Sequence, residues 1–296
     1  MAIGTTRLQP EHRFRLHPPG VIPLWLEEML RRCGQEFMHA PGEDRTATLL
    51  RLARPLLSPP EEMILAWHFL DDVRCLWLAG GNMEDVDDEG VSRALGLPVL
   101  RGEGGMYAGE EGGLAMLEEL ECRGMVCDLG QTMFKVSWAE RRWAFPRNAR
   151  ELPYCTDPGE QTIEQKGAQR RVLRRFITDS LRTVLAEADA GPPEGVVFAL
   201  PSALDKWGQP LGSSYIGMRM DTQLVTDALD LAGLPEIPHW LLNDAELAAT
   251  SAIFDERVIA CGGKALVFTL GTAVGCALAD PMAAARHFMA AGEPPG

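Results

Sequence analysis

The stretch from Met125 to Lys135 constrains the fold of this chain more than any other part of the sequence. A short apolar run ends at Asp128, Gly130 permits a tight turn, and β-rich residues return from Met133 to Ala139. The pattern predicts a strand, a turn and a second strand. A Walker phosphate loop would instead need Gly-Lys-Ser/Thr running into a helix, and this stretch has neither feature.

Size and charge limit the classes of protein to consider. The chain has 296 residues, of which 46% are apolar, so we expect either two lobes or one large α/β domain. Its 42 acidic and 28 basic residues give a net charge of -14, which argues against nucleic acid and anionic membranes as partners. No apolar run approaches the roughly 18 residues that cross a bilayer. The start of the chain, Met1 to Arg15, has no apolar signal core, so we expect a cytoplasmic protein.

The common metal and hydrolase signatures are missing. Seven cysteines stand at 33, 75, 122, 127, 155, 261 and 276 without a Cys-x-x-Cys pair, which favours reduced thiols over a disulfide framework or a zinc site. The six histidines form no His-Glu-x-x-His pattern, and no Gly-x-Ser-x-Gly elbow is present.

Helical and strand patterns alternate along the rest of the chain. Predicted helices cover Ile22–Phe37, Asp44–Leu57, Pro59–Asp71, Asp87–Leu95, a segment reaching Glu121, Gln161–Ala190, Thr222–Ala232 and Pro281–Ala291. Predicted strands cover Arg74–Ala79, Leu97–Leu100, Arg142–Pro146, Gly195–Leu200, Ile237–Leu242, Lys264–Leu270 and Cys276–Ala279. The arginine run from 170 to 175 is most simply a solvated helix face.

Four turns carry a resemblance to a known superfamily. Asp128, Gly130, Gln131 and Thr132 stand on the Asp-x-Gly-x-Thr pattern, which is similar to the first phosphate hairpin of the actin, hexokinase and Hsp70 proteins. Gly80, Gly81 and Asn82 directly follow a predicted strand. They resemble the Gly-Gly loop that receives the adenosine of ATP in sugar kinases of the ROK (repressor, open reading frame, kinase) family. The alternative for the Asp128 stretch is an ordinary hairpin turn, and the alternative for Gly80 and Gly81 is an ordinary strand-to-helix loop.

The other two turns resemble later ROK segments. Asn243 and Asp244 match the start of the family's Asn-Asp-Ala-Asn-Ala-Ala pattern, from which Glu246 departs. An ordinary acid at the start of a helix is the alternative for Asp244. Gly271, Thr272 and Gly275 resemble the second phosphate hairpin, Gly-Thr-Gly-x-Gly. Ala273 replaces its middle glycine, which puts close backbone approach at that position in doubt.

The order of these motifs differs from that of an ordinary family member. The Gly-Gly loop comes first here and the Asp128 hairpin follows, so the resemblance implies a two-lobed actin-like ATPase (ribonuclease H-like) α/β fold that is circularly permuted. One lobe would be 125–243, and the other would combine 1–124 with 244–296. An unrelated helical N-terminal domain fused to a truncated kinase fold is the competing account.

The resemblance implies an ATP- and Mg²⁺-dependent kinase of a small hydroxylated molecule, with a sugar as the expected substrate. Asp244 would accept the hydroxyl proton, and Asp128 would hold Mg²⁺ through water. The three glycine-bearing turns, with Asn82, would border ATP. Position and resemblance make Asn243, Ser202 and Ser214 candidate substrate contacts. A homodimer is compatible with the sequence.

Two family features have no counterpart in this chain. The Cys-x-Cys-Gly-x-x-Gly-Cys cluster is absent, so no structural zinc is expected. The sugar-binding Glu-x-Gly-His motif is absent too, and Glu11-His12, with the wrong spacing, is more simply a pair of surface residues. A non-catalytic nucleotide or sugar sensor is therefore a rival function, and a partner-binding protein that kept only the fold is another.

Overall fold

A computed structural model describes residues 18–35, 44–81, 83–155, 161–205, 208–219, 221, 223–271 and 274–291. These residues form two compact units. The middle unit lies within Gly113–Asp244, and the split unit lies within Pro18–Gly112 and Ala245–Glu293. Each unit contains one five-stranded mixed sheet with helices, so the α/β class predicted from the sequence is confirmed.

The helices and strands of the described residues follow one another in mixed order. The strands are β1 Val21–Pro23, β2 Val73–Ala79, β3 Val99–Arg101, β4 Gly124–Leu129, β5 Met133–Trp138, β6 Arg141–Pro146, β7 Gly195–Leu200, β8 His239–Asn243, β9 Lys264–Leu270 and β10 Val274–Ala279. The helices are α1 Leu26–Arg32, α2 Arg45–Leu57, α3 Asp88–Leu95, α4 Ala108–Glu119, α5 Ile163–Glu187, α6 Leu224–Ala232, α7 Asp244–Phe254, α8 Glu256–Ala260 and α9 Pro281–Ala291.

The sheet of the middle unit has the strand order β6-β5-β4-β7-β8. Strands β4, β5 and β6 form an antiparallel meander, and β7 and β8 run parallel to β4. Because parallel strands end at the same edge of a sheet, the loops that follow β4, β7 and β8 all leave from one edge. This carboxyl edge carries most of the residues that the sequence singles out.

The sheet of the split unit repeats that arrangement with different strands. Its order is β1-β10-β9-β2-β3, in which β9, β10 and β1 form the antiparallel meander. Strands β2 and β3 run parallel to β9. The match in order and direction holds only when the meander is counted from β9 through β10 to β1, which joins the late part of the sequence to its early part.

Alternation along the strands gives the split sheet two different faces. Leucine and phenylalanine side chains such as Leu76 and Phe268 face α1, α2 and α3, whereas alanines of β2, β9 and β10 face α7, α8 and α9. The alanines of α7, among them Ala245 and Ala249, are buried on that second face. Gly112 of α4 also packs against the Ser251 backbone of α7, where a Cβ atom would overlap the Ser251 nitrogen.

The core of the middle unit lies between its sheet and helices α5 and α6. Phe134 of β5 stacks on Phe198 of β7 with ring centroids 5.7 Å apart, and Phe176 of α5 meets Phe134 edge-on. Helix α5 begins with a capping box in which Thr162 and Gln165 satisfy each other's backbone N–H groups. The long helix predicted at this place is thereby confirmed.

Of the helix predictions near the start of the chain, one begins too early and another is wrong. Val21–Pro23 belong to strand β1, which pairs with Ala277–Ala279 of β10, so the helix predicted from Ile22 begins only at Leu26. In place of the helix predicted over Pro59–Asp71, two short 3-10 turns are present. Leu65 is 89% exposed there, so no continuous apolar stripe exists to hold a helix against the core.

Candidate functional site

The residues predicted from the sequence in the middle unit meet at the carboxyl edge of its parallel strands. Asp128 of β4 lies opposite Ala199 of β7, and Ala199 lies opposite Leu242 of β8. Neighbouring strands are about 4.8 Å apart, which puts the Asp128 and Leu242 backbones about 10 Å apart. The turn after β4, the loop after β7 and the start of α7 after β8 therefore leave the sheet as neighbours.

The buried carboxylate of Asp128 has one oxygen in an ion pair and one oxygen without a partner among the described residues. Its Oδ2 atom lies 2.5 Å from Nζ of Lys135, and both side chains are largely buried. Its Oδ1 atom is also buried and has no hydrogen-bond partner among the residues that the structure describes. A buried carboxylate oxygen without a partner is costly, so this atom is suited to a ligand that brings a cation or a donor.

The turn after β4 is held by its own backbone. The Gly130 amide donates to the Met133 carbonyl at 2.9 Å, and a Cβ atom on Gly130 would lie 3.1 Å from the same oxygen. Gly130 has no left-handed backbone angle, so the glycine provides space rather than unusual conformational freedom. The Thr132 side chain is exposed, and its carbonyl accepts a hydrogen bond from the Arg147 amide at 2.8 Å.

The three predicted substrate residues are tied into the surrounding loops. Asn243 Nδ2 donates to the Ser202 carbonyl at 2.9 Å. The Ser202 hydroxyl donates to the Ala203 carbonyl and accepts from the Gly212 amide. The Ser214 hydroxyl donates to Gln131 Oε1, which belongs to the turn after β4. The structure thus brings these residues together, with much of their hydrogen-bonding capacity already used inside the protein.

Arg147 is a residue of this site that the sequence does not reveal. Its Cζ atom lies 4.0 Å from the ring centroid of Tyr154 and 3.8 Å from that of Tyr215. Burial lowers the pKa of the Arg147 guanidinium, with the two tyrosines acting in the opposite direction. The Tyr215 hydroxyl donates to the Gly130 carbonyl at 2.9 Å, so the same cluster reaches the turn after β4.

Asp244 is half-buried and is the first residue of α7. An acidic residue in this position interacts favourably with the N-terminal end of the helix dipole, which by itself explains its presence. Its place directly after β8 also puts it at the same sheet edge as Asp128. The two interpretations of Asp244 are compatible, because a carboxylate held at a helix start remains able to accept a proton.

The glycine turns of the split unit lie at the corresponding edge of its own sheet. Gly80 has a left-handed backbone angle, and a Cβ atom there would lie 2.6 Å from the Leu270 carbonyl, so the fold itself requires glycine. Gly81 is exposed, and nothing lies within 4 Å of the Cβ position. Gly271 directly follows Leu270, and the Gly275 amide donates to the Thr269 hydroxyl. Gly80 and Gly271 are therefore neighbours.

Several predicted positions lie outside the described residues, namely Asn82, Thr272, Glu11 and His12. Within the described part of the chain, no group of three or more His, Cys, Asp or Glu side chains could hold a metal ion. None of the helices described combines the length and the apolar character that crossing a bilayer requires.

A groove of about 350 Å³ lies elsewhere on the middle unit, between the end of β6 and α5. Phe145, Val172 and Phe176 form its apolar part, and Arg175 and Asp179 are exposed at its rim. None of the predicted site residues lines this groove. We therefore place the candidate site at the carboxyl edge of the sheet, where the predicted residues and the partnerless Asp128 oxygen lie, rather than in this groove.

One of the two residues missed by sequence reasoning had a readable signal. Residues equidistant from the middle of a hairpin turn face each other, and Lys135 stands opposite Asp128 by this count. Arg147 had no such signal, because its partners come from loops far apart in the chain.

No family model, curated protein or solved structure matches this sequence.

Proposed function

We propose that this chain is an ATP- and Mg²⁺-dependent phosphotransferase that acts on a hydroxyl group of a small molecule, with a sugar as the expected substrate. The observation that carries the proposal is the state of Asp128. Its buried Oδ1 has no partner among the described residues, and Lys135 supplies a positive charge beside it. Both stand at the sheet edge from which Asp244 begins a helix.

The donor set at Asp128 fits magnesium bound together with a nucleotide. Mg²⁺ keeps several waters and is commonly held by one or two carboxylates plus substrate phosphates, rather than by a cage of protein ligands. A single carboxylate with one open oxygen satisfies that requirement. In the middle unit, the lack of a side chain at Gly130 fits close approach by a phosphate oxygen, although the Gly130 amide already donates to Met133. In the split unit, Gly271 and Gly275 likewise carry no side chain that would hinder a phosphate, and Gly80 and Gly81 would flank the adenosine.

Each residue then has a defined task in the reaction. The Asp244 carboxylate accepts the proton of the attacking hydroxyl. The Lys135 ammonium, next to Asp128, lowers the cost of negative charge on the transferred group. Gln131 and Thr132 belong to the turn that would border the β- and γ-phosphates of ATP. When bound, the Mg²⁺–ATP complex supplies the phosphoryl group and shields its charge.

The arrangement of the sheets supports an actin-like ATPase fold with circular permutation. Two sheets with the same order and the same strand directions are expected when two halves share one topology. In the split unit that order is obtained by counting β9, β10 and then β1, as a permuted chain would require. A cytoplasmic location, a lack of nucleic-acid and membrane partners, a homodimer and the lack of a structural zinc remain predictions of the sequence.

A non-catalytic sensor of a nucleotide or sugar is the second candidate function. It is favoured by the internal hydrogen bonds of Ser202, Ser214 and Asn243, which leave less capacity for a substrate. The missing sugar-binding motif points the same way. Such a sensor would bind the same ligands at the same sheet edge without turnover.

Calorimetry with ATP and Mg²⁺, followed by an ADP-release assay across a panel of sugars, tests the proposal. We expect binding and acceptor-dependent ADP release, with Asp244→Ala abolishing turnover while it preserves nucleotide binding. Unchanged phosphorylation in Asp244→Ala would remove that residue from its role. Binding without ADP release would select the sensor. A melting temperature unaffected by ATP and Mg²⁺ would oppose both the kinase and a nucleotide sensor.

A further inference from the structure

We infer that Arg147 is a positioning residue that couples the loop 213–215 to the turn 130–132, so that the two segments move as one body. The inference rests on the proposed function in naming these segments the substrate loop and the phosphate turn. The mechanical coupling itself depends only on contacts within the middle unit. Nothing in the sequence motifs assigns Arg147 a role.

All five N–H donors of the Arg147 side chain are used. Nε donates to the Leu152 carbonyl at 2.7 Å. One terminal nitrogen donates to the Gln131 carbonyl at 3.0 Å and to the Ser214 hydroxyl at 2.7 Å. The other donates to the Pro153 carbonyl at 2.8 Å and to the Ser214 carbonyl at 3.1 Å. A guanidinium has five donors in a fixed plane, so this set is complete.

These bonds join three segments that are distant in sequence. They are the turn 130–132, the loop 152–155 and the loop 213–215. The Cys155 amide adds a bond to the Ser214 carbonyl at 3.1 Å, which joins the second and third segments directly. Because the guanidinium is planar and rigid, displacement of one segment strains the bonds to the other two.

Two tyrosine rings restrict the guanidinium further. The rings of Tyr215 and Tyr154 both pack against it, and Arg147 is only 7% exposed. Tyr215 belongs to the substrate loop and also bonds to the Gly130 carbonyl. Ser214 bonds to the Gln131 side chain in parallel with the Arg147 contacts. The substrate loop is thus attached to the turn at Gly130 and Gln131, with Arg147 between them.

Such a link gives the proposed site a way to sense its acceptor. A molecule that orders the substrate loop would also order the turn next to Asp128, and a nucleotide at the turn would order the loop. Arg147 touches neither ligand in this scheme. It acts through the backbones that it holds.

Amide hydrogen exchange on the ligand-free chain tests the coupling without assuming any activity. Ser214→Ala removes one hydroxyl from the substrate loop, and Arg147→Lys removes the planar fork but keeps the charge. Arg150→Lys is the matched control, since Arg150 is exposed and three residues away. The amides of Gly130 and Arg147 report on the turn 130–132, because their hydrogen bonds hold it. The Cys155 amide reports on the substrate loop 213–215, because it donates to the Ser214 carbonyl.

We expect exchange to rise about tenfold or more at both places in Ser214→Ala and in Arg147→Lys, and at neither in Arg150→Lys. A rise in Ser214→Ala that is confined to the Cys155 amide would overturn the coupling. So would a rise that extends equally to the amides of β7, since it would reflect general destabilisation rather than a link between two segments.

Titration with ATP and Mg²⁺ separates this inference from the proposed function. If the wild-type chain binds ATP, Ser214→Ala should weaken that affinity about tenfold with little change in melting temperature. An unchanged affinity would contradict the coupling. If the wild-type chain does not bind ATP, the proposed function fails, and the exchange result alone decides the coupling.

Discussion

Lys135 Nζ lies 2.5 Å from Asp128 Oδ2, and the two residues face each other across the β4–β5 ladder. Removal of one member of a largely buried ion pair leaves the other charge without compensation. We expect Asp128→Asn and Lys135→Met each to lower the free energy of unfolding by about 1–3 kcal/mol. The double variant should lose less than the sum, by about 1 kcal/mol or more. Urea unfolding measures this cycle, and additive losses would show that the pair has little energetic coupling.

The two glycines after β2 should respond differently to alanine. Gly80→Ala places a Cβ atom 2.6 Å from the Leu270 carbonyl at a left-handed angle, so we expect a loss of about 2–4 kcal/mol in the free energy of unfolding. Gly81→Ala has open space and should change stability by less than about 0.5 kcal/mol.

Nucleotide binding gives the second readout for Gly81. If the adenosine approaches this backbone, Gly81→Ala weakens ATP affinity at unchanged stability. Gly191→Ala is the control, because its nearest neighbour, Arg123, is 3.6 Å from the Cβ position. Equal ATP affinity in both variants and the wild type would argue against a nucleotide at Gly81.

The close packing of α4 on α7 predicts an opposite response of two helical glycines. Gly112→Ala would overlap the Ser251 backbone and force the helices apart, at a cost of about 3 kcal/mol. Gly167→Ala in α5 has its nearest contact at 3.8 Å, so it should stabilise the chain by up to about 1 kcal/mol through helix propensity. Thermal unfolding compares the two variants, and a tolerated Gly112→Ala would contradict the packing described for Gly112 and Ser251.

Tyr215 should make stability fall at high pH. Burial raises the pKa of Tyr215 to about 12, against an opposing effect of Arg147, from an ordinary value of 10.0. The folded chain therefore retains the phenol proton more tightly than the unfolded chain. This contribution is complete below pH 10 and is lost as pH rises from 10 through 12, by up to about 2 kcal/mol.

Tyr215→Phe isolates that contribution. The variant loses the hydrogen bond to Gly130, so it should be about 1 kcal/mol less stable at neutral pH. Its stability should decline less between pH 10 and 12 than that of the wild type, and its absorbance titration should lack the tyrosinate component of highest pKa. Parallel declines in the two proteins would rule out Tyr215 as the source.

The sequence predicted the elements whose pattern is local. Buried apolar runs such as Gly195–Leu200 and the part of β9 that follows Lys264 can be recognised from composition, and α5 from its helical period and Thr162 cap. Strand β1 could not be recognised, because three residues show no period and their partners lie at the other end of the sequence. The helix predicted over Pro59–Asp71 is wrong for a related reason. Whether its apolar side chains are buried depends on the fold, and the sequence alone does not show it.

The residues of the candidate site also fall into those that the sequence predicted and those that it did not. Asp128 and Gly130 could be picked out from their spacing within one hairpin, and Asp244 from its place after Asn243, because each pattern is local in the sequence. The internal bonds of Ser202 and Asn243 were not predictable, since a hydroxyl or an amide in a loop looks the same whether it faces a ligand or a neighbouring carbonyl. Arg147 shows this most clearly, because its importance comes from three segments that only the fold brings together.

Four of the five acceptors around Arg147 are main-chain carbonyls, and the fifth is a serine hydroxyl. Main-chain oxygens are present whatever side chain a position carries, so a substitution at Pro153 leaves the acceptor of Arg147 in place, whereas Ser214→Ala removes the one acceptor that a side chain supplies. The support around the guanidinium therefore depends mainly on the course of the main chain through these loops, and on the side chain of one serine.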